Sequence, residues 1–174
     1  MMKLISPNDP IFKQPIEKFD FDNPQYDPDE LVDNMIKTMC QAKGIGLSAI
    51  QVGIPVSVFV MGHYNMPDEV LAVFNPKIVD YSGDEVFEEE GCLTFPGLFI
   101  KIKRHSHIRI RFADKFGNVN THVMDGIPAR IAQHEYDHCQ GIQYQQRAST
   151  LHLQRAKKQK EKLDRLRKRN ARVQ

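Results

Sequence analysis

The chain has 174 residues, a length that suits one domain with its own hydrophobic core. Apolar residues make up 41% and charged residues 26%, which is the composition of an ordinary globular protein. No apolar run approaches the roughly 20 residues needed to cross a bilayer, and the first ten residues lack a secretory signal pattern. We therefore expect no membrane partner and a cytoplasmic location.

The charge is distributed unevenly along the chain. Residues 147–174 carry 11 Lys/Arg and two Asp/Glu, a net charge of +9, whereas the whole chain is +2 and the preceding part is therefore −7. This asymmetry divides the chain into a body, residues 1–146, and a basic tail, residues 147–174. The tail contains too few leucines for a continuous apolar stripe, so we expect it to be a solvated helix or a disordered segment.

The first predicted helix covers residues 28–42. Asp27 can cap its N-terminus, and Glu30 completes a capping-box pattern with Asp27. Two apolar series with four-residue spacing define its core face: Leu31, Met35 and Met39, and Val32, Ile36 and Cys40. Gly44 is expected to end the helix in the left-handed conformation.

Strand-like segments follow the first helix. They are residues 54–61, 69–74, 77–81, 107–112 and 119–124. Asn75-Pro76 is predicted to be a turn between the second and third of these, and residues 114–118 a turn between the last two. Several strands around one later helix, with the first helix packed outside, indicate an α+β fold with mixed or antiparallel sheets.

The later helix begins near Gly126 and contains the pattern H-E-x-x-H. His134 and His138 are one helical turn apart, so both imidazoles can reach one metal ion. Glu135 lies about 100° round the helix, where it can touch a water molecule on that metal without being a third ligand. Two ligands with a nearby carboxylate base are what a metal hydrolase needs.

Ile127 and Ile131 are expected to continue the core-facing side of this helix into the two histidines, which favours a buried site over an exposed polar face. The third metal ligand is open. Metzincin proteases would need a histidine where Tyr144 stands. Gluzincin-type proteases would need a glutamate further downstream on another helix, and the only downstream glutamate, Glu161, lies in the basic tail. Cys92 is the alternative, because a thiolate and two imidazoles leave one position for water in a tetrahedral site.

Three segments occur in order along the chain: Gly44-Ile45-Gly46-Leu47-Ser48-Ala49-Ile50-Gln51, Glu90-Gly91-Cys92-Leu93-Thr94 and Gln133-His134-Glu135-Tyr136-Asp137-His138. They resemble the three signature motifs of peptide deformylases, G-x-G-L-A-A-x-Q, E-G-C-L-S and Q-H-E-x-D-H. The resemblance covers roughly residues 4–146, and Phe95-Pro96-Gly97 is similar to organellar and phage-type members. Ser48 replaces an Ala, Thr94 replaces a Ser, and Cys139 stands where the family usually has Leu.

The resemblance implies hydrolysis of the formyl group from the N-terminal formylmethionine of nascent polypeptides. It implies one divalent metal ion, Fe(II) first, with Zn(II), Ni(II) or Co(II) as substitutes. The implied site residues are the metal ligands Cys92, His134 and His138, the base Glu135, and the oxyanion donors Gln51 and the backbone N–H of Leu93. Asp137 is expected to orient a ligand or bind Arg104, and Glu90 to be structural.

The resemblance further implies that the formylated peptide binds as an added strand along Ile45, Gly46 and Gly91. Ile45, Ile131 and the stem of Arg130 are candidate walls of the methionine pocket. By analogy with bacterial members, the tail is a candidate contact with the ribosome or ribosomal RNA. We expect a monomer in the cytoplasm of a bacterium or a phage-infected host, with an organelle as the alternative. The alternatives are a Zn-dependent peptidase, which lacks a third ligand, and a basic RNA-binding protein with a decayed site.

Overall fold

The computed structural model describes residues 2–171. Its strands form one antiparallel sheet in the order β1-β2-β3-β4-β5. The elements in chain order are α1 Pro28–Gln41, β1 Gly46–Ser48, β2 Val58–Met61, β3 Leu71–Glu90, β4 Ile100–Ala113, β5 Val119–Asp125, α2 Gly126–Cys139 and α3 Thr150–Asn170. The predicted α+β class is confirmed.

Helix α2 lies at the centre of the fold, since it contacts all five strands. Its core face contributes Ala129, Ala132 and Cys139, which pack with strand residues such as Phe59 and Ile110. Helix α1 packs on the outside and buries the predicted apolar face in a separate cluster that includes side chains from β1 and β2. The central and outer helices therefore occupy the predicted places.

The end of α1 differs from the prediction. Asp27 caps the helix as expected, since its Oδ1 accepts from the Glu30 N–H at 2.8 Å. However, Lys43, with φ 54°, is the left-handed residue, and Gly44 is not. Gly44 instead allows a close approach, because a Cβ there would lie 2.7 Å from Leu93 Cδ1 and the Leu93 side chain would have to shift. The glycine therefore brings two of the motif segments together and does not end the helix.

The predicted turn at Asn75-Pro76 is wrong. Strand β3 runs through it, and the register with β4 shifts between Phe74 and Lys77. Asn75 has φ 50° and binds the Phe19 backbone, accepting from its N–H at 2.7 Å and donating to its carbonyl at 2.8 Å. The local turn chemistry therefore produces a β-bulge, since pairing with β4 continues on both sides.

The other strand predictions differ in extent. Only residues 58–61 of the predicted 54–61 strand are in β2, whereas β3 and β4 extend well beyond their predicted bounds. The turn before β5 is confirmed, with the Asp114 carboxylate accepting from the N–H groups of Phe116 and Asn118, both at 2.9 Å. The long β3–β4 pairing ends at Glu90 and Ile100, so it carries the chain directly to the second motif.

Helix α3 belongs to the body only at its start. Ala156 is buried with Leu98, Ile100 and Tyr144 in a third apolar cluster, against which Leu153 packs. From residue 157 onwards the helix side chains are mostly exposed, as far as the structure describes them. None of the helices within residues 2–171 is long and apolar enough to cross a membrane.

Candidate active site

The three motif segments meet at one point beside α2. The donor atoms of Cys92, His134 and His138 all lie within 4.8 Å of one another. Cys92 Sγ lies 3.3 Å from His138 Nε2. One soft thiolate and two imidazoles form a donor set suited to zinc, iron, nickel or cobalt, and three protein ligands leave a position for a water molecule. The residues present therefore fit a single metal ion.

Glu90 fixes the orientation of one histidine. Its Oε2 lies 3.0 Å from His134 Nδ1, which leaves His134 Nε2 as the nitrogen available to an ion. The same carboxylate accepts from Arg104 at 2.9 and 3.0 Å and from Arg130 at 2.7 Å. Burial alone would raise the pKa of Glu90, but the hydrogen bonds from His134 and Arg104 outweigh it and lower the pKa to about 2.

The two histidines differ in their affinity for a proton. Burial lowers the pKa of His138 well below its ordinary value, which favours the neutral, ligating form. Burial also acts to lower the pKa of His134, but its hydrogen bonds with Cys92 and Glu90 outweigh burial and raise the pKa to about 10. An ion that binds here must displace that proton, so its affinity falls as the pH falls.

Glu135 is buried beside the ligands, with 4% of its surface exposed. Ser48 Oγ donates a hydrogen bond of 2.7 Å to its Oε2. On the other side, a Cβ on Gly46 would overlap Glu135 Oε1. Burial raises the pKa of this carboxyl group, while the charge of His134 and the Ser48 hydrogen bond oppose the rise. A raised pKa makes the carboxylate a stronger base.

Gln51 points its amide into the site. Its Oε1 accepts from the Ser48 N–H at 2.8 Å, and its Nε2 lies 3.0 Å from Thr94 Oγ1 and 3.4 Å from Cys92 Sγ. Within residues 2–171, no protein group accepts from the backbone N–H of Leu93. The site thus contains two N–H donors: the Leu93 N–H, which follows Cys92 in the chain, and Gln51 Nε2, which contacts the sulfur of Cys92 and the hydroxyl group of Thr94.

A cavity of about 590 Å³ opens onto this point. It is lined by eight of the nine predicted site residues: Ile45, Gly46, Gln51, Gly91, Cys92, Leu93, His134 and Glu135. His138, the ninth, contacts Cys92 and does not line the cavity. Arg130 and Ile131, the other two candidate walls of the methionine pocket, also line the cavity.

The prediction for Ile127 is wrong. It is 65% exposed and lines the cavity instead of the core. The physical reason is that Ile127, Ile131 and His134 follow one stripe of α2, whereas Ala129 and Ala132 follow the stripe that packs on the sheet. His134 therefore continues the cavity face of the helix, whereas His138, one turn further on, is buried behind it.

Asp137 contacts two arginines near the site. The contact with Arg104 was predicted, and Asp137 Oδ2 accepts from Arg104 Nη1 at 2.6 Å. The contact with Arg147 was not predicted. Arg147 donates two hydrogen bonds to Asp137, at 2.6 and 3.1 Å.

The residues at the ligand positions of the peptidase alternatives lie elsewhere. Tyr144 donates to the Leu98 carbonyl at 2.8 Å, and Glu161 is exposed on α3. The two positions that the peptidase schemes require therefore supply no ligand.

The links from Ser48 to Glu135 and from Glu90 to His134 were also missed. Each joins residues more than 40 positions apart in the chain. The only sequence signal for the Ser48–Glu135 contact was the polar residue at a position where the motif has alanine.

The site defines a class of protein. A buried donor set for one ion, a carboxylate base beside it and an open cavity are the features of a metal-dependent hydrolase.

Comparison with known proteins identifies the family. The sequence model described as "Polypeptide deformylase" matches residues 1–154. The peptide deformylase of Thermotoga petrophila is 39% identical over 137 residues, covering 77% of this chain and 79% of the relative. That of Maricaulis maris is 36% identical and covers 97% of both chains. The chain belongs to the polypeptide deformylase family.

Solved structures agree with this assignment. A peptide deformylase from Synechococcus elongatus, crystallised with actinonin, has a TM-score of 0.83 at 31% identity and covers 92% of this chain and 88% of its own. One from Plasmodium falciparum has a TM-score of 0.81 at 31% identity and covers 95% and 97%. Members of the family hydrolyse the N-formyl group of nascent polypeptides, and this chain is an enzyme of that type.

Proposed function

We propose that Cys92, His134 and His138 hold the single metal ion of this deformylase and that Glu135 carries the proton during hydrolysis. The observation that supports this most is the gathering of the three donor atoms within 4.8 Å. The buried Glu135 lines the same cavity, next to His134 in sequence. When bound, the ion supplies Lewis-acid activation of a water molecule and of the formyl carbonyl group.

Proton transfer in this scheme is carried out by Glu135. Its carboxylate accepts a proton from the attacking water as the new C–O bond forms at the formyl carbon. It then delivers that proton to the amide nitrogen as the C–N bond breaks, which gives formate and a free N-terminal amine. As the carbonyl oxygen gains negative charge, Gln51 Nε2 and the Leu93 N–H donate hydrogen bonds to it.

The peptide is proposed to bind as an added strand along Ile45, Gly46 and Gly91. Gly46 and Gly91 carry no side chain, and a Cβ on Gly91 would lie 2.7 Å from Phe99 Cε1, so the Phe99 ring packs directly against the Gly91 backbone. Main-chain pairing tolerates many sequences, so it suits an enzyme that acts on many nascent chains. The methionine side chain would enter the cavity between Ile45, Ile131 and the stem of Arg130.

The ion is proposed to be Fe(II), with Zn(II), Ni(II) or Co(II) as substitutes, since the same donor set accepts all four. The enzyme is proposed to be a cytoplasmic monomer with a catalytic body, residues 1–146, and a basic tail, residues 147–174. The exposed cations along α3 favour the tail as a contact for ribosomal RNA. Residues 172–174 of this tail lie outside the described residues.

Replacement of Cys92 by alanine tests the metal site. We expect Cys92→Ala to lower the metal content at least tenfold, because only two imidazoles remain. Cys40→Ala is the matched control, since Cys40 is a partly buried cysteine packed in the core cluster of α1. It should keep one ion per chain, measured by elemental analysis after anaerobic purification. Full metal content in Cys92→Ala would contradict the assignment.

A further inference from the structure

We propose that Ser48 is a positioning residue for the reaction, which fixes the Glu135 carboxylate through its hydroxyl group and the Gln51 amide through its backbone. The inference rests on the roles proposed above for Glu135 and Gln51. It concerns a residue outside the metal ligands and the proton carrier, at a position where the first motif otherwise has alanine.

The hydroxyl group of Ser48 is committed to the carboxylate. Ser48 is 1% exposed, and its Oγ lies 2.7 Å from Glu135 Oε2 and 3.2 Å from the Glu135 carbonyl oxygen. A hydroxyl group has one proton to donate. The carbonyl of Glu135 is an acceptor within α2, and the carboxylate is both nearer and charged. The proton therefore goes to Oε2.

This hydrogen bond determines where the carboxylate points. Within residues 2–171, Ser48 is the only residue that hydrogen-bonds to the Glu135 carboxylate. Oε1, the second oxygen, lies against Gly46, which lines the cavity. Holding Oε2 leaves Oε1 to receive the proton of the attacking water. Without the hydroxyl group, the side chain could rotate, and this oxygen would no longer be fixed relative to the metal ligands.

The backbone of Ser48 acts on the second group. Its N–H donates to Gln51 Oε1 at 2.8 Å, which turns Gln51 Nε2 toward Cys92 and Thr94. The amide thereby presents a donor, and not an acceptor, to the place where the oxyanion forms. A change of the Ser48 side chain spares this backbone bond. Side-chain variants therefore test the contacts of the hydroxyl group, with Glu135 and with the neighbouring Cys139, and leave the bond to Gln51 Oε1 in place.

The surroundings of Ser48 provide a matched control. The buried thiol of Cys139 interacts with the hydroxyl groups of both Ser57 and Ser48. Ser57 is also buried, at 7% exposure, but among the residues that the structure describes it forms no hydrogen bond with Glu135. Ser57→Ala therefore removes a hydroxyl group from the same polar cluster without touching the carboxylate. Any effect of disturbing the cluster as such should appear in both variants.

The experiment compares kcat, KM and metal content for wild type, Ser48→Ala, Ser57→Ala and Glu135→Gln with a formyl-Met-Ala-Ser substrate. We expect Ser48→Ala to lower kcat about tenfold, equivalent to about 1.4 kcal/mol. Its KM should stay within about twofold, and it should retain one ion per chain, because the substrate contacts and ligands are unchanged. Ser57→Ala should keep the wild-type kcat.

Three results would overturn the inference: a wild-type kcat in Ser48→Ala, equal losses in Ser48→Ala and Ser57→Ala, or loss of the ion from Ser48→Ala. If Glu135→Gln is inactive in the same experiment, each of these results leaves the proposed role of Glu135 intact. Retained turnover in Glu135→Gln would contradict the role of Glu135 as proton carrier, and the inference about Ser48 would then fail as well. The failure of the inference and the failure of the proposed function are thus separate outcomes.

Discussion

Glu90 shows how one buried charge organises the site at the residue scale. It joins β3 to α2 through His134, and it binds Arg104 and Arg130 at the same time. A buried carboxylate with hydrogen bonds on both oxygens orients a ligand and compensates the nearby cations. The expectation that Glu90 is structural was therefore too narrow, because its contact with Nδ1 also leaves Nε2 as the nitrogen of His134 that would face the proposed ion.

The lowered pKa of Glu90 predicts an acid-dependent stability. The folded pKa of about 2 lies below the ordinary value of 4.5, so the stabilisation is fully present above pH 4.5 and is lost as the pH falls toward 2. We expect the difference in unfolding free energy between wild type and Glu90→Gln to shrink across this window, by at most roughly 3 kcal/mol.

Denaturant titrations from pH 7 to pH 3, with a chelator present, measure this difference without a contribution from metal release. Glu89→Gln is the control, because Glu89 is the exposed neighbour on β3. It should follow the wild type at every pH. A constant difference between wild type and Glu90→Gln from pH 7 to pH 3 would be incompatible with the pKa shift.

At this scale the sequence predicted the groups but not all of their contacts. The i, i+4 spacing of His134 and His138 and the adjacent Glu135 follow from helical geometry alone. The Ser48–Glu135 and Glu90–His134 contacts depend on how β1 and the end of β3 pack against α2. Spacing within one element carries no information about such contacts, so they could be found only in the folded structure.

At the scale of elements, Asp137 connects three segments of the chain. It lies on α2, binds Arg104 on β4, and binds Arg147 just before α3. Its carboxylate is almost fully buried, whereas the Arg147 side chain is 46% exposed. Because solvent screens the exposed partner, the Arg147 contact should contribute little more than a surface ion pair of good geometry.

We therefore expect Arg147→Ala to lower the free energy of unfolding by about 1 kcal/mol, and Arg155→Ala by less than about 0.5 kcal/mol. Arg155 is exposed on α3 and forms no ion pair in the part of the chain that the structure describes. Thermal or denaturant unfolding of both variants at neutral pH and moderate salt measures the difference. A loss above 3 kcal/mol in Arg147→Ala would mean that Arg104 alone cannot compensate Asp137.

The elements with strong periodicity were predictable, and those with competing local signals were not. The helix over residues 28–42 and the strand over 107–112 were found because their apolar spacing matches burial in the fold. Asn75-Pro76 carries a real turn signal, but long-range pairing of β3 with β4 converts it to a bulge. Gly44 was assigned to a helix end because the sequence shows only its place after the helix. Its close contact with Leu93 joins two distant segments of the chain and could not be read from the local sequence.

At the scale of the whole molecule, the division between body and tail in the charge pattern differs from the division in packing. The charge changes at Arg147, whereas apolar packing continues to Ala156. A deletion after Arg147 would remove Leu153 and Ala156 from the third apolar cluster and would disturb the body. A deletion after Lys160 leaves that cluster intact and removes six Lys/Arg and two Asp/Glu.

We expect the protein truncated after Lys160 to keep wild-type turnover of short formyl peptides and to lose affinity for ribosomes. The loss follows from fewer phosphate contacts, and the dependence of binding on salt should become shallower. Cosedimentation with ribosomes at several salt concentrations measures both quantities. Unchanged cosedimentation would contradict the proposed role of the tail while leaving the catalytic account intact.

The most direct test of the account is formate release from formyl-Met-Ala-Ser by anaerobically purified wild type and Glu135→Gln, each with its metal content measured. Gln at position 135 keeps the size of the side chain but cannot accept the proton. We predict turnover in the wild type, a loss of at least about a hundredfold in kcat in Glu135→Gln, and one ion per chain in both. Comparable turnover in the two metal-loaded proteins would contradict the assignment of Glu135 as proton carrier.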